Sequence, residues 1–327
     1  MTDRPFVLIP GHPHPRVFER LQTGFQIVRI DTADPALVTP DIAKKVRAVA
    51  VSGAGTGRIT ADFMAALPNL EIVANFGVGY DGVDAPYAGR NGIMVTNTPD
   101  VLTEEVADVA LGLVIATARE FHKAETWLRQ GRWASEGNYR LTPGSLRGRK
   151  AGIFGMGRIG LAVARRLEAC GLPVAYHNRR QVPDVVYDYH PTLKGLAEAV
   201  DILVSVVPGT ASTEKAVNAD ILKALGPHGI FVNVGRGSTV DEDALIAALS
   251  DGTILAAGLD VFADEPNVPQ GLLDAPNAML LPHVASASIM TRNAMADLVA
   301  DNIFAWFDDG RPLTAVPETA DVKAAAR

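Results

Sequence analysis

Short apolar runs alternate with amphipathic stretches along most of the chain. Residues 6–9, 26–30, 48–52, 72–76 and 93–95 are apolar runs short enough to be strands. Residues 15–23 and 61–66, between them, carry apolar side chains at helical spacing. A second series begins near Lys150, with strand-like runs at 151–154, 173–177, 202–206, 230–234, 256–259 and 279–281. Helical pieces separate these too, such as 158–169, and 241–249, which Asp251-Gly252 closes. Strands alternating with helices predict parallel sheets covered on both faces, an α/β class with two doubly wound domains.

Between the two series, residues 103–130 contain no proline and no evident break. Residues 106–118 are apolar nearly all round, as expected of a core helix or of one buried between subunits. Its place at the join of the two series favours the interface. Beyond the last strand, 288–307 reads as a helix and 317–327 as a loose, alanine-rich tail.

A chain of 327 residues is long enough for two domains, and 48% hydrophobic with 20% charged residues is an ordinary globular balance. The formal charge of -7 argues against a nucleic-acid partner. The basic clusters Arg147-Gly148-Arg149-Lys150 and Arg165-Arg166 read as solvated surface. Cys170, the one cysteine, rules out an internal disulfide and is expected to be a buried, inert thiol. No export signal is visible, and 109–118 is too short to span a bilayer, so the expected setting is the cytoplasm, with no membrane partner.

The chemistry concentrates in the second series. Gly155-Met156-Gly157-Arg158-Ile159-Gly160 follows a strand and opens a helix, the order of a dinucleotide site. The glycines permit a tight turn and close approach to a pyrophosphate, and the first amides of the helix attract the anion. The next strand ends in Asn178-Arg179-Arg180, where an NAD site usually carries an acid for the ribose 2′-OH. Two guanidinium groups suit a 2′-phosphate instead, so the expected cofactor is NADP(H).

Three further strand ends carry reactive types. Arg236 stands between two glycines in Val232-Asn233-Val234-Gly235-Arg236-Gly237, where a guanidinium can grip a carboxylate with two hydrogen bonds. Glu265 lies in Leu259-Asp260-Val261-Phe262-Ala263-Asp264-Glu265-Pro266, and His283 in Leu281-Pro282-His283-Val284-Ala285-Ser286. A glutamate beside a histidine favours the imidazolium, which can give a proton to a developing alkoxide. The glycine-rich stretch 52–57 lacks the Gly-Lys-Ser/Thr of a P-loop and reads as a lining of the substrate side. His12 and His14 have too few further ligands nearby for a metal, and none is expected.

Taken in order, these motifs resemble the D-isomer-specific 2-hydroxyacid dehydrogenases, over about residues 74–295. The resemblance implies that Arg236, Glu265 and His283 are the catalytic trio. It implies that the backbone of Val78 and Gly79, in Phe76-Gly77-Val78-Gly79-Tyr80-Asp81, takes the substrate carboxylate, as consecutive glycine-turn amides can. It adds Thr103, Val207, Pro208, Thr213, Val234, Asp260, Ala285 and Ser286 to Gly155, Gly157, Arg158, Ile159, Gly160, Asn178, Arg179 and Arg180 as cofactor contacts. The family's topology makes 1–98 plus 288–316 a discontinuous, flavodoxin-like substrate domain. The Rossmann cofactor domain, 99–287, is inserted in it, and 317–327 is a tail. Members pair through their cofactor domains, so a homodimer is expected; Trp133 either reaches a partner's cleft or simply packs. Within the family, the arginine pair and the run from Leu280 to Ser288 are similar to NADPH-dependent glyoxylate/hydroxypyruvate reductases of the hydroxyphenylpyruvate-reductase type. The expected reaction is reduction of a small 2-oxo acid, bound between the domains, to the D-2-hydroxy acid with His283 as general acid. The rivals are a cofactor-sensing, corepressor-like binding protein and a formate- or phosphite-type dehydrogenase. The acidic charge weakens the first, and the lack of long appended segments weakens both.

Overall fold

The computed structural model describes residues 4–51, 53–54 and 56–324 and divides into two compact units. One runs up to Leu102 and resumes at Ser288; the other is Thr103–Ala287. Ser52 and Gly55, of the glycine-rich stretch, lie outside the described residues.

The first unit is built on a five-stranded parallel sheet in the order Gln26–Ile30, Phe6–Pro10, Val46–Val51, Ile72–Asn75, Met94–Thr96. Successive side chains point to opposite faces, and both faces are apolar. Val7, Ile9, Ile72 and Met94 pack with Val299, Ile303 and Trp306 of the helix Ile289–Asp309. Leu8, Val49, Val73 and Val95 pack on the other side with Phe63, Met64 and Ala88. The returning helix therefore covers one face of the sheet together with Val17 and Leu21 of the helix Pro15–Leu21.

The segment expected to be loose from residue 317 is docked through Val322. Thr319 is 1% exposed; its hydroxyl accepts from the Val95 amide at 3.1 Å. A side chain on Gly89 would lie 2.3 Å from the Glu318 carbonyl oxygen, so the close approach depends on glycine. One buried threonine bound to a strand edge outweighs an alanine-rich composition. Residues 325–327 lie outside the described residues.

The second unit carries a seven-stranded parallel sheet. Its order is Asp188–His190, Val174–His177, Ala151–Phe154, Ile202–Ser205, Ile230–Asn233, Ala256–Leu259, Ala278–Leu280. The sequence pattern predicts six of these; the seventh, Asp188–His190, is a short polar edge strand with no apolar run to reveal it. The chain reverses its direction of travel across the sheet beside Ala151–Phe154, the place where such sheets bind ligands at their carboxyl ends.

The expected unbroken segment 103–130 is two helices, Thr103–Ala118 and Phe121–Arg129. The break is Glu120, in the left-handed region at φ 51°. Its carboxylate is only 10% exposed and holds Lys123, Arg140 and Tyr139. The first helix buries Val106, Ala110, Leu113 and Val114 inside its own unit, against the helix Arg158–Ala169 and three strands, which is the core role. Cys170 is exposed, not buried. The helix stops at Ala169, Gly171 reverses the chain at φ 82°, and the Leu172 amide reaches back to the Leu167 carbonyl at 3.2 Å. Leu172 thereby covers the apolar face that Cys170 was expected to cover.

Candidate active site

The glycine turn is constrained residue by residue. Gly155 sits at φ 107°, and a side chain there would meet Val207 at 2.7 Å. A side chain on Gly160 would lie 2.1 Å from the Gly155 carbonyl oxygen, which is how tightly helix and turn close. Gly157 caps the helix Arg158–Ala169 with open space at its Cα. An anion can therefore approach the backbone at Gly157 and the helix's first amides, those of Arg158 and Ile159.

Asn178, expected as a cofactor contact, also braces the glycine turn. Its Oδ1 accepts from the Met156 amide at 2.6 Å and its Nδ2 donates to the Met156 carbonyl at 3.3 Å, tying the turn to the end of the next strand. Arg179 and Arg180 are exposed beyond it, with no protein partner among the described residues. An open glycine turn and two unpaired guanidinium groups at the second strand end fit a phosphorylated dinucleotide. Val207 and Val234 are buried at strand ends, and Thr103 opens its helix. Thr213 closes its own loop, its hydroxyl donating to the Pro208 carbonyl at 2.7 Å.

Arg236, Glu265 and His283 come together at the carboxyl ends of neighbouring strands. Asn233, fully buried, accepts from the Gly235 amide and donates to the Arg236 carbonyl at 3.0 Å each, fixing the arginine loop. Gly237 lies so close to the Phe262 backbone that a side chain could not be built there. That contact brings the arginine loop beside the Glu265 loop. Glu265 accepts from the Phe262 amide at 3.0 Å and meets His283 Nδ1 at 2.7 Å. Burial works to raise the Glu265 carboxyl; the His283 and Phe262 hydrogen bonds and the charges of His283 and Arg236 outweigh it and hold the group below the usual range. A proton on Nδ1 directed at an ionised carboxylate leaves Nε2 as the ring's open atom.

His283 itself sits at φ 52°, a conformation that a histidine rarely adopts. Asp260 enforces it. Its carbonyl accepts from the His283 amide at 2.8 Å, and its carboxylate accepts from Val284 at 2.7 Å and Ala285 at 2.9 Å. Burial pushes the Asp260 carboxyl up, against the pull of those amides. Asp260 thus shapes the loop His283–Ser286, in which Ala285 and Ser286 are buried.

In the first unit, the loop after Ile72–Asn75 carries Val78 and Gly79. Their amides have no partner among the described residues, as an anion nest requires. Sequence reasoning missed what holds this loop: Asn75 Nδ2 donates to the Gly79 carbonyl at 3.0 Å, and Asn97 Nδ2 to the Val78 carbonyl at 2.9 Å. Asn75 borders the motif and could have been noticed; Asn97 gives no local signal.

A doubly wound sheet with an open glycine turn, and an arginine beside a glutamate-held histidine at the same sheet edge, define a dinucleotide-dependent oxidoreductase. Residues 111–285 match the D-isomer specific 2-hydroxyacid dehydrogenase, NAD binding domain. Among curated relatives, the chain is 44% identical to glyoxylate/hydroxypyruvate reductase A of Arabidopsis thaliana over 90% of this chain and 94% of that protein. It is 45% identical to hydroxyphenylpyruvate reductase of Plectranthus scutellarioides over 83% and 85%. Among solved structures, it is similar to an NADPH-dependent glyoxylate/hydroxypyruvate reductase of Sinorhizobium meliloti in complex with NADP and malonate. There the TM-score is 0.95 and the identity 61%, over 99% of this chain and all of that one. The chain belongs to the D-isomer specific 2-hydroxyacid dehydrogenase family.

Proposed function

We propose that this enzyme reduces a small 2-oxo acid of the glyoxylate/hydroxypyruvate class to the D-2-hydroxy acid with NADPH. The observation that carries the reading is the 2.7 Å contact between His283 and Glu265, beside Arg236. The Sinorhizobium meliloti relative, described as NADPH-dependent and solved with NADP, supports the cofactor and the substrate class. These relatives favour a reductase over the corepressor-like and formate- or phosphite-type readings.

The glycine turn from Gly155 to Gly160 holds the pyrophosphate, and Arg179 and Arg180 hold the 2′-phosphate. When bound, the reduced nicotinamide supplies the hydride that the keto carbon takes up. Arg236 binds the substrate carboxylate with two parallel hydrogen bonds and polarises the keto oxygen. In the first unit, the open Val78 and Gly79 amides suit a carboxylate. His283 gives its Nε2 proton to the oxygen as charge develops there, while Glu265 keeps the ring oriented and stabilises its positive form.

Two copies pair through the second unit in this reading. Phe121, Leu128 and Trp133 support it, being large apolar residues that the unit leaves exposed on its short helices. A cytoplasmic setting is supported by the single thiol, which excludes an internal disulfide.

The test is direct. Purified protein mixed with NADPH and glyoxylate, or hydroxypyruvate, should consume the nicotinamide absorbance, and faster than with NADH. No turnover with any small 2-oxo acid would remove the proposal.

A further inference from the structure

The carboxylate-binding amides belong to two consecutive peptide planes, and each plane is held from behind by a side-chain amide. In a trans peptide the carbonyl of one residue and the N–H of the next point in opposite directions, so fixing the oxygen aims the hydrogen. The Gly77 carbonyl accepts from the Thr98 amide at 2.9 Å and from Asn75 Nδ2 at 3.4 Å, which aims the Val78 N–H. The Val78 carbonyl accepts from Asn97 Nδ2 at 2.9 Å, which aims the Gly79 N–H.

Asn97 is itself anchored. Its amide donates to the Thr314 carbonyl at 3.2 Å and its carbonyl accepts from the Thr314 hydroxyl at 2.6 Å. That hydroxyl accepts from Asn302 Nδ2 at 2.8 Å, and Asn302 Oδ1 accepts from the amides of Leu313 and Thr314 at 2.9 Å each. Asn302 is fully buried on the helix Ile289–Asp309. A buried side-chain amide is costly unless its donors and acceptors are all engaged, and here they are, Nδ2 also reaching the Leu298 carbonyl. A continuous polar chain therefore links the core of the last helix to the loop.

The geometry points to Asn75 and Asn97 as positioning residues for the substrate carboxylate, with Asn302 and Thr314 fixing Asn97. This rests on the reductase reading above. Neither asparagine touches the reacting atoms; they hold open an anion site that would otherwise have to be organised when substrate arrives.

The test is Asn97→Ala, assayed with glyoxylate and NADPH and with oxamate as an unreactive carboxylate inhibitor. KM for glyoxylate and Ki for oxamate should rise together by about three- to ten-fold, the worth of one neutral hydrogen bond. kcat should stay within about two-fold and the Kd of NADPH should not move, because a uniform binding term is lost. Asn97→Asp should be worse at neutral pH and recover as the pH is lowered, when the protonated carboxyl can again donate to the Val78 carbonyl. Wild-type KM and Ki in folded Asn97→Ala would overturn the inference, as would an equal loss of NADPH affinity. Should Asn97→Ala not fold, Asn75→Ala replaces it in the same assays and is judged by the same outcomes. Absence of turnover in the unaltered protein sinks the reductase reading instead, and is thereby told apart.

Discussion

Arg179 and Arg180 stand exposed past the strand Val174–His177, and their charge is the simplest basis for choosing between the two nicotinamide coenzymes. Each charged hydrogen bond to a phosphate contributes roughly 1.5–3 kcal/mol. Replacing both by alanine should therefore lower kcat/KM for NADPH at least about 100-fold while leaving NADH nearly unchanged, which the ratio of the two constants reads directly. His283 calls for a different substitution. Its backbone is left-handed, so His283→Ala mixes lost chemistry with backbone strain, whereas asparagine tolerates that conformation. His283→Asn should lose about 10² to 10⁴ in turnover; near-normal rates would end its role as proton donor. Tyr80, next to the carboxylate loop, is pushed up to about 12 by burial and by its hydrogen bond to Glu318. A raised folded value means that this contribution to stability is complete below the unfolded value near 10 and is lost as pH climbs through about 12. Tyr139 and Tyr187 are raised as well, so the ultraviolet titration is compared between variants: the phase near 12 should be lost in Tyr80→Phe and come earlier in Glu318→Gln. Of the site itself, the trio was legible because each member sits in a compact strand-end motif. The brace that Asn178 forms was not, since a side chain's partner is a matter of folding: its Oδ1 and Nδ2 both reach the Met156 backbone.

Strands and helices were legible wherever their residues are apolar on a fixed period, and obscured where a polar residue makes the turn. Glu120 is the clearest case. Nothing in a glutamate announces a helix boundary, yet its left-handed backbone and its three partners end one helix and start the next. Burial alone would raise its carboxyl, but Lys123, Arg140 and Tyr139 together hold it below the ordinary range. Glu120→Ala should destabilise the protein by about 3 kcal/mol, the low end for losing one member of a buried ion pair, because Arg140 is half exposed and can be rehydrated. The denaturant midpoint measures this, and an unchanged midpoint would show that the break is set elsewhere. The edge strand Asp188–His190 escaped notice for the converse reason: it is short, polar and paired on one side only.

For the molecule as a whole, the discontinuous first unit could be read only from family resemblance. No local pattern says that the helix Ile289–Asp309 returns to a sheet laid down by the first hundred residues. The energetics follow from that return. The segment 103–287 holds all seven strands of its sheet and its own buried core, so expressed alone it should melt cooperatively by circular dichroism. Residues 4–102 alone would leave Val7, Ile9 and Ile72 without Val299 and Trp306, and should aggregate. A soluble, cooperatively melting 4–102 fragment would contradict this account of the core. Cys170 adds a practical benefit. The chain's lone thiol lies at the surface of the second unit, remote in sequence from Arg236, Glu265 and His283. A maleimide dye would therefore mark each polypeptide once and only there, so that single-molecule photobleaching steps would report how many copies assemble.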